Sequence, residues 1–205
     1  MAAEKIREIL ERYLPPGTAG TITDYIVDLR IHLHIKRDRK SKAGDYRAPT
    51  QEDPRHRISI NHNLNRYAFL ITMVHELAHR RAYQVYDRPH GEEWKRAFRE
   101  MMRPFLSERV FPPTLLRILN DYLKDPAASS SSDEALAREL NKYDPKKNGE
   151  VLLEELAPGA YFTLGDDRIF KKGALQRTRF LCACVTNRKK YLVTGVAPVI
   201  PVDKP

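Results

Sequence analysis

Two histidines and a glutamate stand at the spacing that lets one helix hold a metal ion. The segment reads His75-Glu76-Leu77-Ala78-His79. Residues four apart on an α-helix share a face and lie about 6 Å apart along its axis, so both imidazoles can reach one cation. Glu76 lies about 100° around the helix from His75, where its carboxylate can act on a water at the cation without being a ligand. The pattern predicts a zinc site with Glu76 as general base.

A third histidine follows at a suitable distance. His90 comes eleven residues after His79, before the start of the next predicted helix. A turn through 87–89 and a returning helix would bring its imidazole back over the pair. Three nitrogen ligands with one open position are typical of catalytic zinc. We therefore expect one Zn²⁺ per chain, bound by His75, His79 and His90.

The alternative interpretation is a helix with two surface histidines and Glu76 as an ordinary helix former. The apolar run Phe69–Val74 immediately precedes the motif. It indicates a buried helix, whose polar side chains need partners. The metal site is the interpretation that supplies them.

Hydrophobic periodicity indicates the elements that must position these residues. The motif lies in a predicted helix over 66–86, and a second helix is predicted from 92 to about 106. Alternating apolar and polar residues predict strands over 29–36 and 57–61, with a turn at 42–45 between them. We expect the strand over 57–61 to be an edge to which an extended peptide could add. Further helices are predicted over 4–14, 22–29, 114–123 and 133–143.

Composition divides the chain into two modules. Asp125-Pro126 opens an Ala- and Ser-rich segment that is typical of a linker. The predicted divisions are a first domain over 1–125, a linker with a short helix over 126–146, and a module over 147–205. The last segment contains five or six short candidate strands and predicts a small all-β barrel or sandwich.

Basic residues are concentrated in two clusters of a chain whose net charge is +9. The first cluster spans 30–47, and the second spans 168–190 without any acidic residue. Such clusters attract phosphate backbones, so we expect DNA as a partner, the alternative being a solvated basic face. The residues predicted to contact nucleic acid are Arg37, Arg39, Lys40, Lys42, Arg168, Lys171, Lys172, Arg177, Arg179, Arg188, Lys189 and Lys190.

Several protein classes are excluded by composition. Apolar residues make up 41% of the chain and charged residues 31%, which argues against general disorder. No apolar run is long enough to span a bilayer, and the amphipathic N-terminus lacks the core of a signal peptide. Cys182 and Cys184 cannot build a disulfide framework and are expected to be small buried side chains. The sequence predicts a cytoplasmic protein without a membrane partner.

Four segments in order resemble the SprT-like domain of zinc metallopeptidases, the domain of the Spartan-type proteases that clear DNA–protein crosslinks. They are the segments 40–47, Ile58–Asn61, Val74–His79 and His90–Trp94. The resemblance covers roughly residues 5–125. It implies an α+β, zincin-like helical domain with a small antiparallel sheet. It also implies that the three histidines bind zinc and that Glu76 is catalytic.

The chain also departs from relatives of this domain. The Gly and His of the metzincin signature are replaced by Ala82 and Val85. A C-terminal zinc ribbon would need two CxxC pairs, whereas this chain has only Cys182 and Cys184, so the β-module is interpreted as a possible ribbon that has lost its metal.

The sequence therefore predicts a zinc-dependent metalloendopeptidase that acts on DNA-associated proteins. Two alternatives stay open at this point. One is a non-enzymatic, zinc-containing nucleic-acid-binding protein, and the other is a zinc peptidase with no nucleic-acid role. The sequence also leaves the oligomeric state and the physiological substrate open.

Overall fold

The computed structural model divides the chain into two compact units, Met1–Asp144 and Pro145–Pro205. Its described residues form six α-helices and ten β-strands, so the predicted α+β class is confirmed. None of the helices in these described parts combines the length and apolar composition needed to cross a lipid bilayer. The described residues are 2–37, 42–83, 88–127, 133–145 and 149–205.

The first unit places its helices close to the positions that periodicity predicts. Differences are confined to helix ends, where fraying and capping decide the last turn. Its elements are α1 (Ala2–Leu10), α2 (Ala19–Asp28), β1 (Ile31–Lys36), β2 (Gly44–Arg47), β3 (His56–Asn61), α3 (Arg66–Ala82), α4 (Glu92–Met102), α5 (Pro113–Tyr122) and α6 (Glu134–Asn141).

The sheet of the first unit is mixed, so the prediction of an antiparallel sheet is wrong. Its strand order is β1-β3-β2, with β1 parallel and β2 antiparallel to β3. The central strand β3 is covered by its neighbours, and its last four residues are all buried, including Ile58 and Ile60 at 0% exposure. The prediction that 57–61 forms an edge is wrong for the same reason. The two edge strands are β1 and β2.

The N-terminus of α3 is fixed by Asn65. Its side-chain oxygen accepts hydrogen bonds from the backbone N–H groups of Tyr67 (3.1 Å) and Ala68 (3.0 Å). Its amide nitrogen donates to the Leu140 carbonyl (3.1 Å) and to an Asp144 carboxylate oxygen (2.7 Å). One side chain therefore both caps α3 and ties the end of α6 to it. Thus α6, predicted as part of the linker segment, packs within the first unit.

The second unit is built around one antiparallel sheet. Its strand order is β4-β10-β5-β6-β8-β7, and β9 pairs with the other edge of β8. No closed barrel forms among residues 149–205, so the barrel prediction is wrong; β4 and β7, at two residues each, offer too few backbone groups to close one. The strands are β4 (Val151–Leu152), β5 (Tyr161–Thr163), β6 (Ile169–Lys171), β7 (Leu175–Gln176), β8 (Arg179–Cys184), β9 (Lys190–Thr194) and β10 (Pro198–Val202).

The core of the second unit is small and aromatic. Phe162 and Phe170 stack with their ring centroids 5.6 Å apart. Cys182 and Cys184 are free and buried beside them, so the prediction that they are small buried side chains is confirmed.

Candidate metal centre

The three predicted ligand histidines converge between α3 and the start of α4. His75 and His79 lie one turn apart on α3, and His90 precedes α4. The Nε2 atoms of His75 and His90 are 3.2 Å apart. One ligand nitrogen from each of the three rings lies within 4.8 Å of the others. This separation suits three imidazoles around one cation.

A strained turn delivers His90 to the cluster. Its φ of +61° lies in the left-handed region, which non-glycine residues rarely occupy. The following Gly91 donates its backbone N–H to the Arg88 carbonyl at 3.1 Å and serves as the N-cap of α4. Such a conformation costs on the order of 1 kcal/mol and is kept where the surrounding structure enforces it. Here it points the His90 imidazole back toward α3.

Burial keeps the three imidazoles neutral. Desolvation, with smaller contributions from His79 and His90, lowers the pKa of His75 to about 3. Desolvation and the nearby His90 lower the pKa of His79 to about 4, and desolvation also lowers the pKa of His90. At neutral pH the rings therefore have lone pairs free of protons, the form in which histidine binds metal. Three neutral nitrogen donors in one half-buried cluster fit Zn²⁺.

Trp94 packs against the histidine cluster. Its ring centroid lies 4.6 Å from those of both His75 and His90. Its indole N–H donates to the His75 carbonyl at 3.3 Å, and Phe98 stacks behind it at 5.1 Å. Trp94 is fully buried. Its position four residues after His90, in the first turn of α4, was the signal that it shares the ligand face.

The carboxylate of Glu76 lies against the backbone of β2. Glu76 is only 6% exposed. A Cβ added to Gly44 would come 2.6 Å from its Oε1 and 2.7 Å from Cγ2 of Thr72. Only glycine lets the strand approach the helix this closely. The sequence interpretation placed Gly44 in a turn, whereas it begins β2, and no local pattern signals its contact with Glu76.

Tyr46 extends the same strand along the metal centre. Its ring is nearly parallel to that of His79, at 7° and 6.2 Å between centroids. Its hydroxyl is 2.8 Å from Nδ1 of His56 on the neighbouring strand β3. The edge strand β2 therefore contacts the centre twice, at Glu76 through Gly44 and at His79 through Tyr46.

The first basic cluster is partly neutralised by Asp45. Lys42 lies 2.8 Å from one carboxylate oxygen of Asp45, and Arg47 lies 2.9 Å from the other. Arg37 is exposed, whereas the predicted contacts Arg39 and Lys40 fall outside the described residues.

One residue of the second basic cluster that was predicted to be at the surface is buried. Lys172 is 4% exposed, so its prediction as a nucleic-acid contact needs correction. Its ammonium donates to the carbonyls of Glu154 (3.2 Å) and Leu156 (2.6 Å) and lies 4.2 Å from the ring centroid of Phe180. Two backbone carbonyls and the face of an aromatic ring together stabilise the buried ammonium.

The remaining residues of the second cluster reach the surface. Arg168 forms an ion pair with Asp166 at 2.7 Å, which leaves less of its charge for a partner. The exposed members are Lys171, Arg177, Arg179, Arg188, Lys189 and Lys190.

Comparison with known proteins shows a family similarity within the first unit. Residues 20–115 match the model of the SprT-like family. Searches of curated proteins and of solved structures found no match, so the zincin-like architecture stays a prediction. The matched segment contains Gly44, Glu76 and the three histidines. Residues 20–115 are therefore similar to the SprT-like family, and the resemblance predicted from the sequence is confirmed.

Proposed function

We propose that this protein is a zinc-dependent endopeptidase. The observation that carries the proposal is the convergence of three neutral imidazoles, with the buried Glu76 next to His75 in the same helix. A zinc ion held by His75, His79 and His90 would lower the pKa of a bound water to about 7 and polarise the scissile carbonyl. A non-enzymatic zinc site would give no reason for packing a carboxylate against β2.

Glu76 acts as the proton carrier of the reaction. Its carboxylate accepts a proton from the attacking water as the new C–O bond forms. It then delivers that proton to the amine nitrogen as the peptide C–N bond breaks. The contact with Gly44 restricts where the carboxylate can lie, so the backbone of β2 sets the position of the base.

The edge strand β2 is the proposed dock for the substrate backbone. An extended peptide that adds to this edge would run past Gly44 and Tyr46, which contact Glu76 and His79. Backbone pairing carries little information about side chains. The proposal therefore includes broad sequence specificity, limited by whether a substrate can present an extended segment.

Proteins bound to nucleic acid are the proposed substrates. The net charge of +9 and the exposed basic residues of 168–190 support this choice, because they attract a phosphate backbone. A nucleic-acid-binding surface would concentrate the enzyme on proteins that share the same DNA. The competing possibility is a peptidase without a nucleic-acid role, whose activity would not respond to DNA.

The test compares wild type with Glu76→Gln on a DNA-binding protein as substrate, in the presence and in the absence of DNA. We expect hydrolysis to fall by about 10²–10⁴-fold while zinc content stays at one per chain, because the amide keeps the shape but cannot accept the proton. Glu100→Gln, the same change at an exposed position of α4, should retain full activity. Unchanged hydrolysis in Glu76→Gln would contradict the assigned mechanism.

A further inference from the structure

The sheet of the second unit has one face that its own core does not use. Along β8, Cys182 and Cys184 point into the core and are buried. Because side chains alternate along a strand, Arg179, Leu181 and Ala183 lie on the opposite face, called here the outer face. Strand pairing adds their partners on β9, which are Thr194, Leu192 and Lys190.

The outer face continues across the next two strands. Lys171 on β6 pairs with Ala183, and Tyr161 on β5 pairs with Lys171. One row therefore crosses four strands from Tyr161 through Lys171 and Ala183 to Lys190. The ammonium of Lys171 lies 5.7 Å from the ring centroid of Tyr161.

This face combines positive charge with exposed apolar area. Strands β5, β6, β8 and β9, all within the described residues, contain no Asp or Glu. Lys171, Arg179 and Lys190 are exposed on the face. Arg179 and the row that contains Lys190 are about 13 Å apart along β8. The pair Leu181–Leu192 lies between them, and Leu192 is 52% exposed.

We propose that the outer face binds single-stranded nucleic acid. Its charge is complementary to phosphates, which Lys171, Arg179 and Lys190 would contact. Leu181, Leu192 and Tyr161 would contact the flat faces of unpaired bases, which a duplex hides within its stack. The biological role of this binding rests on the proposed function, whereas the binding itself can be measured without any proteolysis.

The charge contribution is tested by measuring the binding of a fluorescent oligo-dT strand to the whole chain. The chain carries Glu76→Gln, so that the protein does not cleave itself during the measurement. Lys171→Gln, Arg179→Gln and Lys190→Gln together should weaken binding roughly 100-fold at ~0.1 M salt and lower the salt slope by about 2, at ~0.7 per phosphate contact. The control replaces Lys5, Arg12 and Arg117, exposed residues of the first unit, by Gln. Equal weakening in both triple variants would overturn the proposal, since it would show a general charge effect.

The apolar contribution is tested with a matched pair of leucines. Leu192→Thr should weaken single-strand binding while leaving the salt slope unchanged, because no charge is removed. Leu175→Thr is the control, since Leu175 is 57% exposed but pairs with Phe180 on the opposite face. Duplex DNA should bind more weakly than the single strand. Equal affinity for both forms of DNA, or full binding by Leu192→Thr, would overturn the proposal.

The two proposals fail in different measurements. If hydrolysis is unchanged in Glu76→Gln while the outer-face variants lose binding as expected, the proposed function is wrong and the outer-face proposal stands. If hydrolysis follows Glu76 but the outer-face variants bind normally, the outer-face proposal falls alone.

Discussion

At the scale of single residues, the proposed active site depends on side chains and backbone atoms that are not themselves ligands. Gly44 leaves room for the Glu76 carboxylate, and the Trp94 ring packs against the imidazole of His75. Neither residue carries the chemistry. Each controls where a chemical group can lie, and a displacement of ~1 Å can cost about 10²-fold in rate.

Gly44→Ala should reduce hydrolysis by about 100-fold while leaving zinc content unchanged. The added methyl would overlap Oε1 of Glu76 at 2.6 Å, so the carboxylate must move from its position against β2. Peptidase rates and metal analysis on the same preparation check this. Gly20→Ala is the matched control, because a Cβ there meets nothing within 4 Å. A fully active Gly44→Ala variant would show that the position of the base is not limited by β2.

Trp94→Phe should lower zinc affinity by roughly 10-fold, the lower end of what residues behind the ligands contribute. The change removes the indole N–H that donates to the His75 carbonyl and part of the surface beneath His75 and His90. Competition with a chromophoric chelator measures the affinity. Phe111→Leu, at another fully buried aromatic, should lower stability without changing zinc affinity. Similar zinc affinities for wild type and Trp94→Phe would limit Trp94 to a packing role.

At the scale of elements, the helix that holds two ligands is fixed at its beginning by one side chain. Asn65 satisfies two N–H groups at the start of α3 and donates two hydrogen bonds toward α6 and Asp144. The segment that leads into the second unit is therefore attached to the first turn of α3. This arrangement makes the two contributions of Asn65 separable by mutation.

Asn65→Ala should lower the free energy of unfolding by roughly 2–3 kcal/mol, since it removes both the cap and the bonds to α6. Asn65→Ser should cost about half as much, because its hydroxyl can still cap α3 but does not reach α6. Urea unfolding of the zinc-loaded protein gives both values. Equal losses in the two variants would show that the tie to α6 carries all of the effect.

At the scale of the whole molecule, the segment between Asp125 and Asp133 has the composition of a linker, although it lies within the first unit, ahead of α6. The described residues at its two ends are engaged with the first unit: Asp125 forms an ion pair with Lys95, and Asp133 caps α6 by accepting from Leu136 N–H at 2.8 Å. Between them the sequence is Pro, Ala and Ser alone. Such composition has little capacity to form a packed core and is typical of the segments that proteases cut first.

Single-stranded DNA should stimulate proteolysis, and an early product should be self-cleavage between Asp125 and Asp133. Several chains on one strand are held at high effective concentration, which favours cleavage of one molecule by another. Mass spectrometry of the fragments locates the cut. Glu76→Gln should give none, and the Lys171, Arg179 and Lys190 triple variant should lose the stimulation but keep DNA-independent activity. Fragments that form equally in Glu76→Gln would indicate another protease.

The sequence by itself determined the features that depend on local spacing. His75 and His79 share a helix face because helical geometry depends only on their separation of four residues. The helices were predicted from apolar periodicity for the same reason, and His90 followed from its distance to the motif. The family resemblance also came from these segments, and the match over 20–115 confirms it.

Only the tertiary structure decided the features that depend on contacts between distant segments. The strand order of the first sheet is such a feature. Both faces of β3 are buried because of what packs around the strand, and the alternation of apolar and polar residues along β3 does not show this. The approach of Gly44 to Glu76 joins residues 32 positions apart, which no local pattern records. Lys172 reads like its exposed neighbour Lys171, yet the pleat of the sheet turns one into the core and the other into solvent. Local spacing determined which side chains could do chemistry, and packing between elements decided which of them are placed to do it.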